Sequence, residues 1–92
     1  MFQKGRLPMK ISTKGRYALR MLLDMAQHQD KGAVALKDVA ARQNISKKYL
    51  EQIALILSQE GILQGTRGHQ GGYRMVVNPA DCTVYQILEI VE

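Results

Sequence analysis

Four residues able to hydrogen-bond the edges and backbone of a polyanion lie close together in this chain: Lys47, Lys48, Glu51 and Gln52. Lysine pairs with phosphate or guanine, a carboxylate accepts from cytosine, and a glutamine amide reads adenine. At these spacings on a helix they share the outward face near its N-terminus, where a major-groove reader needs them. A solvated helix face carries the same residue types, so the surrounding elements have to decide between the two.

Those elements come from the stretch Leu36 to Leu57, LKDVAARQNISKKYLEQIALIL, which reads as a helix-turn-helix. Two short amphipathic segments meet at Gln43, Asn44, Ile45 and Ser46. Asparagine tolerates the left-handed conformation that ends one helix, and serine offers a side-chain acceptor to cap the next. Ala40 is small enough for the second helix to pack over it, while Val39, Ile45, Leu50 and Ile53 fall where a shared core needs apolar groups.

Upstream, ISTKGRYALRMLLDMAQHQ predicts a helix capped by Ser12 or Thr13, with Leu19, Leu22, Leu23 and Ala26 on one buried face. Lys14, Arg16 and Arg20 cluster in and before its first turns. Cations there oppose the helix dipole at a cost of a few tenths of a kcal/mol each, which points to phosphate as an outside partner, with solvated charge as the alternative. Tyr17 suits packing or a single phosphate bond. Asp30, Lys31 and Gly32 close this helix, and Val34 to Leu36 is a short extended link.

After Leu57 the periodicity changes. Gly61 sits where a left-handed cap ends a helix. Two strands, Ile62 to Thr66 and Tyr73 to Val77, then flank RGHQGG and make a hairpin. A hairpin directly after a reading helix is a wing, and its tip holds Arg67 and His69 between glycines. Arg67 suits a narrow minor groove or a phosphate pair, whereas His69 reads as a surface side chain. The glycines could instead cradle a nucleotide phosphate, but no strand-to-helix passage, lysine and hydroxyl follow them.

The last segment, CTVYQILEIVE, opens with a capping box, Thr83 to Gln86, and lines Val84, Ile87, Leu88 and Val91 along a face expected to pack under the first helix. Its helix is still in step at Glu92, as if the fold were cut short. Cys82 stands alone, so it makes no internal disulfide and no metal site by itself; a semi-buried apolar role suits it. His28 and His69 lack acidic or cysteine neighbours at ligand spacing, and no nucleophile, base and orienting group converge on a motif, so enzyme chemistry finds no support.

Ninety-two residues allow one domain. The net charge of +5 is uneven: residues 1 to 20 hold six Lys or Arg and no acid, residues 81 to 92 three acids and no base. A basic front and an acidic back suit a protein that meets a polyanion from one side. No apolar run reaches membrane-spanning length and no signal-peptide core precedes the domain, so the cytoplasm is the expected compartment. Residues 1–8, MFQKGRLP, read as an aperiodic extension before a second possible start at Met9, leaving 9–92 as the domain.

Three stretches, MKISTKGRYALRMLLDMA from Met9, ISKKYLEQI and GTRGHQGGY, resemble the Rrf-two family of winged-helix transcriptional regulators in the right order, over nearly the whole chain. That resemblance implies a dimeric DNA-binding repressor or activator with its second motif helix in the major groove and its wing in the minor groove. Tyr49, Glu51 and Gln52 fall on the family's YLEQ recognition segment, and Arg67 and Gly68 on the wing's RG. Lys47 and Lys48 occupy a helix start that varies within the family, so the operator cannot be copied from a relative. The resemblance also implies, for cluster-binding members, three cysteines in a loop after the helix that begins at Thr83, followed by a long dimerisation helix; the chain ends before both. Cys82 does not match a cluster ligand, so no cofactor is expected in this chain.

The expectation is a mostly α protein with a small β-hairpin, a winged helix-turn-helix binding double-stranded DNA. Its recognition helix spans about 46–57 and its wing about 62–77, with a homodimer in the longer protein. Lys47, Lys48, Glu51 and Gln52 would read or position at base edges, Arg67 with Gly68 and His69 would serve the wing, and Lys14, Arg16, Ser46 and Tyr49 would contact phosphates. The competing class is a winged-helix protein-interaction adaptor, whose mark would be an exposed apolar patch on the reading helix.

Overall fold

The structure, a computed structural model, describes residues 11–66 and 72–92. Helix α1 spans Thr13–His28 and begins where the Ser12 hydroxyl accepts the Gly15 N–H at 3.0 Å. A single 3-10 turn, Gln29–Lys31, and Gly32 at φ 104° turn the chain into the link. Helix α2, Leu36–Gln43, ends at Asn44, which takes the left-handed conformation at φ 55°, ψ 49°. Helix α3, Lys47–Gln59, starts at Ser46, whose hydroxyl accepts the Tyr49 N–H at 3.3 Å. Both caps satisfy main-chain groups that a helix end otherwise leaves open, and together they make the turn between α2 and α3 a property of its own residues.

Gly61, at φ 79°, releases the chain from α3 into the hairpin. Strand β1 is Leu63–Thr66 and strand β2 is Gly72–Met75, antiparallel, with Leu63 opposite Met75 and Thr66 opposite Gly72. The strands are shorter than expected at their outer ends. Ile62 and Val76 lie past the paired region, although the Val76 N–H still donates to the Ile62 carbonyl at 3.0 Å. Val34 joins the hairpin from the other side, exchanging two main-chain bonds with Tyr73 at 2.7 and 2.9 Å. What reads as a connecting link is therefore a third, one-residue strand that ties the start of α2 to the wing.

A 3-10 turn at Pro79–Asp81 leads to helix α4, Val84–Val91, which carries the expected capping box. Gln86 accepts the Thr83 N–H at 2.8 Å, and the Thr83 hydroxyl accepts the Gln86 N–H at 3.1 Å.

The core lies where α1, α2, α3 and α4 meet under the hairpin, with Met21, Met25, Val39, Leu50, Ile53 and Leu57 fully buried. Each such side chain contributes roughly 1.5 to 3 kcal/mol. One expected face is rotated, and a second holds except at its first residue. On α1 the buried apolar side chains are Ala18, Met21, Leu22 and Met25, while Leu23 is 63% exposed and Leu19 and Ala26 are only half-buried. On α4, Ile87, Leu88 and Val91 are buried but Val84 is 56% exposed. The physical reason is shared. A turn of apolar residues wider than one stripe offers several faces to the core, and the neighbours of α1 take the one rich in methionine, which adapts to irregular gaps. The positions left over, Leu19, Leu23, Ala26 and Val84, come together in one shallow apolar groove of about 240 Å3.

Candidate nucleic-acid interface

The outward face of α3 is built by what its inward face buries. Leu50, Ile53, Ala54 and Leu57 are sunk in the core, so Lys47, Lys48, Glu51 and Gln52 are turned to solvent, and all four are exposed. Lys47 and Glu51 approach to 3.6 Å, one turn apart, with more than half of each side chain accessible. An exposed pair of this kind holds its members loosely, so both ends stay available to another partner. Leu55 is the exposed apolar exception farther along α3, a single side chain rather than a patch.

Ser46 is exposed at the head of α3, its oxygen engaged in the cap. Tyr49 is half-buried, and its ring meets Tyr17 edge-on, centroids 5.2 Å apart at 75°. The two rings lock α3 against α1, which leaves the hydroxyl as the part of Tyr49 suited to a phosphate. Lys14 is half-buried and Arg16 exposed, and neither forms an ion pair among the described residues. Arg67, Gly68 and His69 lie outside the described residues.

Arg20 differs from the expectation of an outside phosphate partner. Its guanidinium donates to the Gln43 side chain at 3.2 Å and to the Gln43 main-chain carbonyl, and it stands 5.8 Å over the Tyr17 ring. That carbonyl belongs to the last turn of α2, where helix carbonyls lack partners. A cation on the first helix thus caps the second.

Beside it is a network that motif reading missed. Asp24 is 2% exposed on α1. Its carboxylate accepts three hydrogen bonds from Arg42, at 2.7, 2.9 and 3.2 Å, and one from Gln43 at 3.0 Å. His28, expected to lack an acidic neighbour, has Asp24 one helical turn back: it donates to the Asp24 main-chain carbonyl at 2.7 Å and stands 3.5 Å from the carboxylate. Burial pushes the Asp24 carboxyl up, but the Arg42 and Gln43 hydrogen bonds and the nearby positive charge outweigh it and hold the group below the ordinary value. An aspartate set among Leu22, Leu23 and Met25 was the one signal available, since a carboxylate on an apolar face needs a partner.

Cys82 is half-buried, and burial pushes its thiol up, away from the thiolate that a metal requires. Among the described residues no three His, Cys, Asp or Glu side chains gather at metal-binding distance. A set of three cysteine ligands does not fit a chain with one cysteine. Among the described residues no helix is long and apolar enough to cross a membrane.

Comparison with known proteins places this geometry. Residues 11–92 match the Rrf2 family, described as iron-dependent transcriptional regulators. The chain is 40% identical over 84 residues to the HTH-type transcriptional regulator IscR of Aliivibrio salmonicida, covering 91% of this chain and 50% of that protein. It is 38% identical over 84 residues to the regulator CymR of Bacillus subtilis, covering 91% of this chain and 61% of that one. Among solved structures, T. potens IscR superposes with a TM-score of 0.85 at 41% identity, covering 92% of this chain and 62% of that one. The global cysteine regulator CymR of B. subtilis does so at 0.87 and 37%, covering 91% of this chain and 65% of that one. The chain spans about half to three fifths of the length of these curated relatives. On the match from residue 11 to residue 92 and the likeness in both sequence and fold, the chain belongs to the Rrf2 family of transcriptional regulators, with a winged helix-turn-helix architecture.

Proposed function

We propose that this chain is a sequence-specific DNA-binding module of a transcriptional regulator, with α3 in the major groove and the hairpin in the adjacent minor groove. One observation carries the reading: a capped helix with four hydrogen-bonding side chains on its exposed face and a fully buried opposite face. Lys47, Lys48, Glu51 and Gln52 read or position at base edges. Ser46, the Tyr49 hydroxyl, Lys14 and Arg16 contact phosphates, and Arg67, Gly68 and His69 serve the wing. The regulator that carries this module acts in the cytoplasm as a homodimer. Two recognition helices one DNA turn apart then call for a palindromic operator, whose occupation represses or activates the promoter that holds it.

Iron dependence, which the family description carries, has no ligand set among the described residues, and no step of this reading passes through a metal. What the chain itself does is hold α3 at a defined pitch and offer its outer face.

A salt titration of binding tests the reading, run on random duplex DNA and on a pool enriched for preferred sequences. Affinity that falls steeply with salt, together with a half-site or palindrome recovered from the pool, is the expected result. Absence of binding to either at low salt would return the adaptor reading.

A further inference from the structure

A groove of about 470 Å3 runs between α3 and the base of the hairpin, lined by Lys37 from α2, Lys47, Glu51 and Leu55 from α3, and Tyr73 from β2. None of Lys37, Leu55 and Tyr73 stands out in the sequence as a contact residue. If α3 occupies a major groove and the wing the neighbouring minor groove, one sugar-phosphate strand separates the two and has to cross the surface between them. This groove is that surface.

Its walls are held by close approach rather than by chance exposure. Gly72 allows Val34 to pair with β2: a Cβ there would stand 2.4 Å from the Val34 carbonyl oxygen. That pairing sets the first turn of α2, and with it Lys37, at a fixed place beside the wing. Gly65, on the opposite strand, leaves room for the Tyr73 ring, 3.3 Å from where a Cβ would be. Glu51, the carboxylate in the lining, has Lys47 at 3.6 Å, while no carboxylate among the described residues pairs with the exposed Lys37. A cation on a first helical turn opposes the dipole, so Lys37 gains nothing inside the fold to offset it.

We infer that this groove is the seat of the DNA strand lying between the two grooves, with Lys37 pairing one phosphate, the Tyr73 hydroxyl donating to a phosphate, and Leu55 covering a sugar. The inference rests on the reading above, and adds a contact that no base reader supplies: one blind to sequence, fixing the distance between helix and wing.

The test compares binding of the chain and its variants to the selected pool sequence and to random duplex, from 50 to 200 mM salt. Lys37→Ala is expected to weaken both DNAs equally and to lower the salt slope by about one, so that its loss at 50 mM is roughly threefold larger than at 200 mM. Lys37→Arg restores the slope. Tyr73→Phe keeps the ring over Gly65, and should lose a few-fold in affinity with the slope unchanged. Phosphate ethylation interference should map the Lys37 contact to the strand between helix and wing, and Lys37→Ala should erase it. An unchanged slope, or a loss confined to one base pair, overturns the inference while leaving the wild-type chain a DNA-binding protein. A wild-type chain that binds neither DNA overturns both.

Discussion

Asp24 and Glu51 are both carboxylates facing a cation, and the protein treats them in opposite ways. At the seam between α1 and α2, Asp24 is almost wholly buried and collects four hydrogen bonds, three from Arg42 and one from Gln43. On the outer face of α3, Glu51 is half-exposed and meets Lys47 at 3.6 Å. Desolvation makes the first site all or nothing: with every partner present it clamps two helices, and with one missing it leaves a buried charge. Water makes the second site cheap to rearrange. The difference separates charges that set the pitch of the helix-turn-helix from charges left to meet something else.

Breaking the clamp should give the largest effect. Asp24→Ala leaves Arg42 and Gln43 without their acceptor and is expected to cost about 3 kcal/mol of stability, somewhat reduced because Arg42 is partly solvated; urea unfolding measures it. A loss under about 0.5 kcal/mol would mean that water replaces the carboxylate without penalty, and the contrast with Glu51 would disappear. The same clamp predicts a pH dependence. The folded Asp24 pKa lies below that of the unfolded chain, so its contribution is complete above the ordinary carboxylate value near 4 and fades as pH falls through the lower folded value. Asp24→Asn should flatten that acid limb of the stability curve.

On the other side of the comparison, Glu51→Ala should leave stability within about 0.5 kcal/mol and act on recognition instead. It is expected to relax preference at one base pair by about 1 to 3 kcal/mol, read from competition between operator variants. Equal loss on every sequence would make Glu51 an electrostatic bystander. The smallest effect belongs to Lys47→Ala measured as stability, about 0.3 to 0.5 kcal/mol at low salt and less at high salt. A larger loss in thermal melts would show the exposed pair to be structural after all, and erase the distinction between the two regions.

These two regions were not equally legible. The turn could be read from Asn44 and Ser46, and the last helix start from Thr83 and Gln86, because a cap is made by residues within four positions of each other. The exposed quartet on α3 followed from the same short-range periodicity. Asp24 and Arg42 are 18 positions apart and Arg20 and Gln43 are 23 apart, and nothing local to either residue names its partner. Arg20 therefore read as a phosphate contact, although it spends its donors on the end of α2. The stripe on α1 went astray for a related reason. Leu19, Leu23 and Ala26 are as apolar as Met21 and Met25, and only the placement of the neighbouring helices chooses which set is covered.

The sequence by itself determined how the helices are capped, that a hairpin follows α3, and which residue types α3 presents, since each depends on backbone preferences and side chains within a turn or two. Only the tertiary structure decided that Val34 pairs with Tyr73, that Asp24 gathers Arg42 and Gln43, and that Lys37 stands across a groove from the wing. Those contacts join segments far apart in the chain. Burial selects them, because a main-chain group or a charge taken out of water must find its partner wherever the fold brings one.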